Sequence, residues 1–166
     1  CEPLLTEQLF AVGCVDARWP AVRRGAISIA QVSRQPLMLT PHPNGLRRII
    51  ERAARSAGVT VDARLEVETV ALMLNLVRTG AVRAVLPYCA IYKALEAGEV
   101  SARPIAGTTI SWVIGTSRQA ALPRAAQVLI GSIVEHCRQA VADGRWRTAR
   151  LTLRPGAAEP STRIKP

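Results

Sequence analysis

Thr40-Pro41-His42-Pro43-Asn44-Gly45 is the stretch of this chain best equipped to hold a small ligand. It follows an apolar run, Pro36-Leu37-Met38-Leu39, that reads as a buried parallel strand. It precedes a run with Leu46, Ile49, Ile50, Ala53, Ala54 and Ala57 on one helical face. A strand end that leads into a helix start exposes backbone N–H groups and the positive end of the helix dipole, and both favour an anion. Thr40 and Asn44 can donate hydrogen bonds to a carboxylate or sulfate, and His42 adds charge when protonated. The same residues also fit a proline-rich turn in which Asn44 is only a helix cap. Glu68-Thr69 stands at a second junction of this kind, where Thr69 suits the cap and Glu68 suits the positive helix end. Gly80-Ala81 closes that helix. Arg83 then places a cation at the start of the next strand, as a ligand contact or as a solvated charge.

Nothing in the chain assembles a reaction centre. It has no Gly-x-Ser-x-Gly, no His pair at metal-ligand spacing and no glycine-rich phosphate loop. His42 and His136 lack any ligand-like spacing to Cys1, Cys14, Cys89 and Cys137, which read as reduced, mostly buried thiols. No enzyme activity, cofactor or metal is expected. Tyr88, Tyr92 and Trp112 read as core or subunit packing rather than as an aromatic pocket.

The 166 residues suffice for one domain or two small lobes, and 22 basic against 12 acidic residues give a net charge of +10. A basic chain invites a nucleic-acid reading. Here the arginines are spread over every expected helix and the tail, and no helix-turn-helix, zinc finger or stacking motif is present. The distribution therefore favours a solvated basic surface. No run of 18 apolar residues is present, and the first residues lack the pattern of a signal peptide, so a soluble cytoplasmic location is expected.

The elements that must position these residues follow from periodicity. Glu2 to Val15 reads as a strand, Ile27 to Gln31 as a short apolar piece and Pro36 to Thr40 as a buried strand. A helix over residues 46–57 follows. Val59 to Val67 alternates, with Val59, Val61, Ala63, Leu65 and Val67 on one side. Val70, Met73, Leu74 and Val77 mark a helix that Gly80 ends, and Ala84-Val85-Leu86 a strand that Pro87 ends. A helix over 88–97, a strand over 100–105 broken by Pro104, a strand over 108–116 and a long helix over 122–143 complete the order. Its face is Ala126, Leu129, Ile130, Ile133, Val134, Cys137 and Val141. The pattern predicts an α/β chain with a largely parallel sheet.

LTEQLFAVG, ISIAQVSRQPLMLT, GLRRIIERAARSAGV and LEVETVALMLNLVRTGAVRAVLP occur in an order that resembles the effector-binding region of LysR-type transcriptional regulators. The stretch from Arg118 to Cys137 resembles the closing helix of that region. LPYCAI and Gly144-Arg145-Trp146 resemble its nitrogen- and sulfur-assimilation control branch. Two positions depart from the family: Val82 stands where a second glycine is usual, and Arg83 where an apolar residue is usual.

The resemblance implies an α/β fold like type 2 periplasmic binding proteins, truncated at the amino end, with the second lobe complete and the first partial. Residues 1–32 are expected to end the first lobe and cross over, and 33–100 to form the second lobe. Residues 101–145 would cross back and close the first lobe, and 146–166 would form a disordered tail. Crossings are expected near Ala26–Ser33 and Ser101–Gly107. A small, anionic effector would bind between the lobes, with Thr40, His42, Asn44, Glu68, Thr69, Gly80, Ala81 and Arg83 lining the site. The helix faces over 46–57 and 123–141 match helices that pair subunits in this family, so a homo-oligomer is expected. DNA would be contacted only through an N-terminal winged helix-turn-helix absent from this chain. A solute-binding protein of a transport system shares the fold and is the main rival reading. A small hydrolase or transferase and a poorly folding remnant are the others.

Overall fold

The computed structural model describes residues 2–21, 25–116 and 121–152. Cys1, Arg23-Arg24, the first residues of the Arg118 stretch and the tail beyond Thr152 lie outside the described residues. The elements are β1 (Glu2–Cys14), α1 (Ile29–Val32), β2 (Leu37–Leu39), α2 (Gly45–Ser56), β3 (Ala63–Glu66), α3 (Val70–Arg78), β4 (Arg83–Pro87), α4 (Tyr88–Glu96), β5 (Val100–Ile114), α5 (Arg124–Ala142) and β6 (Ala149–Leu151). They form two compact units: a middle unit, Gln8–Ile110, and an end unit made of Cys1–Glu7 with Ser111–Pro166. β1 and β5 each contribute residues to both.

In the middle unit the strand order is β3-β2-β4-β1-β5. β2 runs parallel to β3 and β4, whereas β1 runs antiparallel to β4, so the sheet is mixed rather than largely parallel. The antiparallel pair needs no helix of its own, which is why the alternation of strands and helices did not announce it. Each inner strand feeds two cores. Leu37 and Leu39 of β2 join Ile29, Val32, Ile50 and Ala54 beneath α1 and α2. Met38 joins Met73, Val77, Ile91 and Ala94 beneath α3 and α4. This alternation gives a three-layer middle unit with helices on both faces.

β3 is shorter than its apolar alternation predicts. Leu37 pairs with Ala63 but Met38 pairs with Leu65, so a bulge at Arg64 breaks the register. One extra residue reverses the side-chain parity. Val59, Val61 and Ala63 therefore pack on the α2 side, Val67 enters the α3 side, and Leu65 between them is 39% exposed. β5 runs unbroken through Pro104. The proline contributes its carbonyl, which accepts from the Ile27 N–H at 2.9 Å, while Ala106 N–H donates to the Ile27 carbonyl at 2.9 Å. The missing amide falls at the end of this short pairing, where no ladder bond is lost. The apolar piece at Ile27 becomes α1, started by a capping box in which Ser28 and Gln31 bond each other's backbone amides.

In the end unit, β6 pairs antiparallel with Leu5–Glu7 of β1. Residues 146–152 of the segment expected to be disordered are thus structured. α5 packs Ile130, Val134, Cys137 and Val141 against Leu4, Leu5, Ala149 and Trp146. Its buried stripe is narrower than the expected face: Leu129 and Ile133 are exposed. A short stretch of β1 together with β6 covers only one side of the helix.

Candidate functional site

β2 is wholly buried between β3 and β4, and its parallel neighbours end on the same edge of the sheet. Thr40 follows β2 there. Val67 follows β3 and donates its N–H to the Leu39 carbonyl at 3.0 Å, and Tyr88 follows β4. Three helices start at this edge, α2, α3 and α4, and none carries an acidic residue in its first turn. Their first turns add no carboxylate of their own to Glu51, Glu66 and Glu68 at this edge, so the positive helix ends remain available to an anion.

Thr40 is 6% exposed, and its hydroxyl has no hydrogen-bond partner among the described residues. Leaving a buried hydroxyl unpaired costs about 1–3 kcal/mol, so this group has an unmet demand at the strand edge. Asn44 is a true cap: its Oδ1 accepts from the Leu46 N–H at 2.9 Å. His42 has an exposed ring whose Nε2 lies 3.0 Å from Glu51 Oε1. Thr69 occupies the cap position of α3 without making the side-chain bond, and Glu68 is exposed beside it.

The residue that organises this edge is Arg47. Its guanidinium is buried and donates through Nε to Glu51 Oε1 at 2.6 Å. Through Nη1 it donates to Glu66 Oε1 at 3.2 Å and to the Thr40 carbonyl at 3.4 Å. One side chain thus ties α2 to the ends of β2 and β3. The bond from Arg47 is the chief cause that holds the Glu51 carboxyl below its ordinary value of 4.5; the charges of His42 and Arg47 add to it, and burial opposes it. Sequence reasoning passed over Arg47 as one more surface arginine. The signal was present, because Arg47 shares a helical face with Ile50 and Ala54.

Gly80, Ala81 and Arg83 do not join Thr40. Arg83 pairs with Leu37 at the start of β2, so the three residues mark the opposite edge of the parallel strands. They cannot form one wall with Glu68 and Thr69, as the resemblance led us to expect. Gly80 takes a φ of +80°, which suits the turn after α3. Arg83 is committed locally. It donates to Gln35 Oε1 and, at 2.8 Å, to the Arg18 carbonyl, and it stacks 5.0 Å from the centre of the Trp19 ring. Trp19 Nε1 donates to Ser101 Oγ at 3.1 Å, and Ser101 Oγ donates to the Cys14 carbonyl at 2.6 Å. The chain thereby straps down the loop after β1.

The end unit has its own polar cluster. Glu7 is 1% exposed and accepts from Trp112 Nε1 at 2.6 Å and from Trp146 Nε1 at 2.9 Å. Trp112 is therefore engaged by a carboxylate, while Tyr88 packs with Phe10 and Tyr92. Cys14, Cys89 and Cys137 are half-buried rather than buried, and burial pushes the Cys137 thiol up. Among the described residues, no group of three or more His, Cys, Asp and Glu side chains could hold a metal ion. No helix among them is long and apolar enough to cross a membrane.

Set against known families, residues 1–138 match the LysR substrate binding domain. The chain belongs to that family. No curated protein matches it. Solved structures with the same fold as this LysR substrate-binding domain include the regulatory domain of MetR, a LysR family regulator from N. meningitidis. It is 17% identical at a TM-score of 0.65, over 92% of this chain and 68% of that one. The reduced OxyR regulatory domain from Pseudomonas aeruginosa is 21% identical at a TM-score of 0.56, over 81% of this chain and 64% of that one. The effector binding domain of QuiR, solved with shikimate, is 14% identical at a TM-score of 0.64, over 83% of this chain and 65% of that one. At these identities the likeness establishes the periplasmic-binding-protein-like fold. The chain spans about two thirds of the length of those domains.

Proposed function

We propose that this LysR substrate-binding domain is the effector sensor of a DNA-binding transcriptional regulator. It takes a small anionic metabolite at the carboxyl edge of β2 and β3, and occupancy is coupled to transcription through a DNA-binding domain outside this chain. The reading places the protein in the cytoplasm, as a homo-oligomer in its intact form, and assigns it binding rather than catalysis. The observation that carries it is the buried hydroxyl of Thr40, without a hydrogen-bond partner among the described residues, beside α2 and α3, whose first turns hold no acidic residue. In this reading Thr40 donates to the anion, the α2 amides near Asn44 face it and His42 adds charge when protonated. Thr69 offers a second hydroxyl, and Glu68 accepts from a donor group elsewhere on the metabolite. Gly80, Ala81 and Arg83 lie on the other edge and take no part.

Thermal unfolding in the presence of sulfate, phosphate and a panel of small hydroxy- and keto-carboxylates, shikimate included, tests this. A true effector at about a hundred times its Kd stabilises the fold by about 2.7 kcal/mol. Thr40→Val should abolish that shift while the unliganded melting temperature is kept or slightly raised. A panel without any shift, or a shift that survives Thr40→Val, would defeat the assignment.

A further inference from the structure

Known partners sort the arginines of this chain into two kinds. Arg47 is tied to Glu51 and Glu66, Arg78 to Glu99, and Arg145 to Asp143. Arg83 is held by Gln35, the Arg18 carbonyl and the Trp19 ring. Arg48, Arg52 and Arg55 of α2 differ. All three are exposed, and among the described residues none has an ion-pair or hydrogen-bond partner. At about 3.6 residues per turn they fall within about 60° of one another and span about 10 Å of helix axis. They sit opposite Ile50 and Ala54, which face the core.

Helix electrostatics do not account for this stripe. The first turn of α2 holds no acidic residue, and Arg48 lies there at the positive end of the dipole, where a cation is unfavourable. The acids near α2 offer no relief, since Glu51 is engaged by Arg47 and His42, and Glu66 by Arg47. The face also lacks what a protein partner would grip. No large exposed hydrophobic residue belongs to α2, whereas protein interfaces centre on apolar anchors. What remains is a straight row of planar, fork-shaped cations on a chain of net charge +10. That matches a row of phosphates in charge and in donor geometry.

We propose that the exposed face of α2 binds the phosphate backbone of duplex DNA through Arg48, Arg52 and Arg55, without reading base sequence. This contact is separate from any DNA-binding domain and from the effector site at the strand edge.

The test titrates the full chain into a labelled, short, random-sequence duplex and follows fluorescence anisotropy at several salt concentrations. Neutralising three phosphates contributes a log–log salt slope of about −2.7, or about 40-fold in affinity between about 50 and 200 mM salt. Arg48→Gln with Arg52→Gln and Arg55→Gln should weaken binding at low salt and flatten the slope by about that amount. A control of equal charge, Arg34→Gln with Arg64→Gln and Arg103→Gln, should bind close to wild type. Matching circular dichroism spectra and melting temperatures for the three proteins separate lost binding from lost folding. Absence of duplex binding at low salt would overturn the proposal. Equal loss in the two triple variants would overturn it in favour of diffuse charge attraction. Tighter binding of a poly-glutamate peptide than of DNA through the same three arginines would overturn it in favour of an acidic protein partner.

Discussion

Replacing Arg47 by methionine tests how the carboxyl edge of β2 is held. Methionine keeps an unbranched apolar stem and removes the guanidinium. Three acceptors then lose the Arg47 donor: the Thr40 carbonyl and the carboxylates of Glu51, which keeps only His42 among the described residues, and Glu66. An exposed ion pair contributes about 0–1 kcal/mol, and opening a buried one costs about 3–5 kcal/mol. The Arg47 side chain is 9% exposed, but those of Glu51 and Glu66 are 22% and 48% exposed. Water therefore screens both acids, and the loss falls between the limits at about 2 kcal/mol. Removing a cation from the positive end of α2 returns about 0.3–1 kcal/mol, which leaves a net loss of about 1–2 kcal/mol. Urea unfolding followed by circular dichroism should show a lower midpoint at an unchanged slope.

The acid limb supplies a second readout. Glu51 is held below its ordinary value of 4.5 chiefly by the bond from Arg47. A carboxyl depressed in the folded state stabilises the fold above its unfolded pKa, and that stability is lost as pH falls through the folded value. Arg47→Met should therefore lose less stability than wild type as pH drops from neutrality through this window. An unchanged urea midpoint, or an acid limb that superimposes on wild type, would refute the account of Arg47.

Other substitutions probe single contacts. Thr40→Val removes a buried hydroxyl that has no partner among the described residues, so unfolding in urea should find the unliganded protein as stable as wild type or better by up to about 1 kcal/mol. Asn44→Ala removes the bond to the Leu46 N–H and should lower stability by about 1 kcal/mol, read from the same curves. At Gly13 a Cβ would lie 2.8 Å from Ala17 Cβ and 3.1 Å from Trp19 Cζ2. Gly13→Ala should accordingly destabilise by about 1–3 kcal/mol and shift the emission of Trp19, because the strap over the loop must move.

Much of the middle unit was legible because burial there repeats with a period. β2 and β4 show as short apolar runs, and α2 and α3 as stripes. Failures came where a local event broke the period or a partner lay far along the chain. The bulge at Arg64 flips parity within β3, and no feature of the residue types announces it. Pro104 looked like a break, yet only its carbonyl is needed. β6 is too short for three residues to register an alternation. The edge proposed for the effector was read through Thr40 and Asn44, because the strand–loop–helix transition is local. Arg47 and Glu7 were missed because charged residues look solvated until their partners are known. Glu7 meets its two indoles across 105 and 139 residues of chain. Gly80, Ala81 and Arg83, expected to line the same site, lie apart from Thr40 for a topological reason: in a parallel pair, strand starts and strand ends face opposite ways.

The distribution of indoles makes the chain its own pair of optical labels. Of its three tryptophans, Trp112 and Trp146 share one carboxylate in the end unit, and Trp19 stacks on a guanidinium in the middle unit. A Trp19→Phe protein emits only from the end unit, and a protein with both other indoles replaced emits only from the middle unit. Melting curves from the two would separate a single concerted transition from two successive ones without any attached dye. They would also show which unit an added metabolite steadies first.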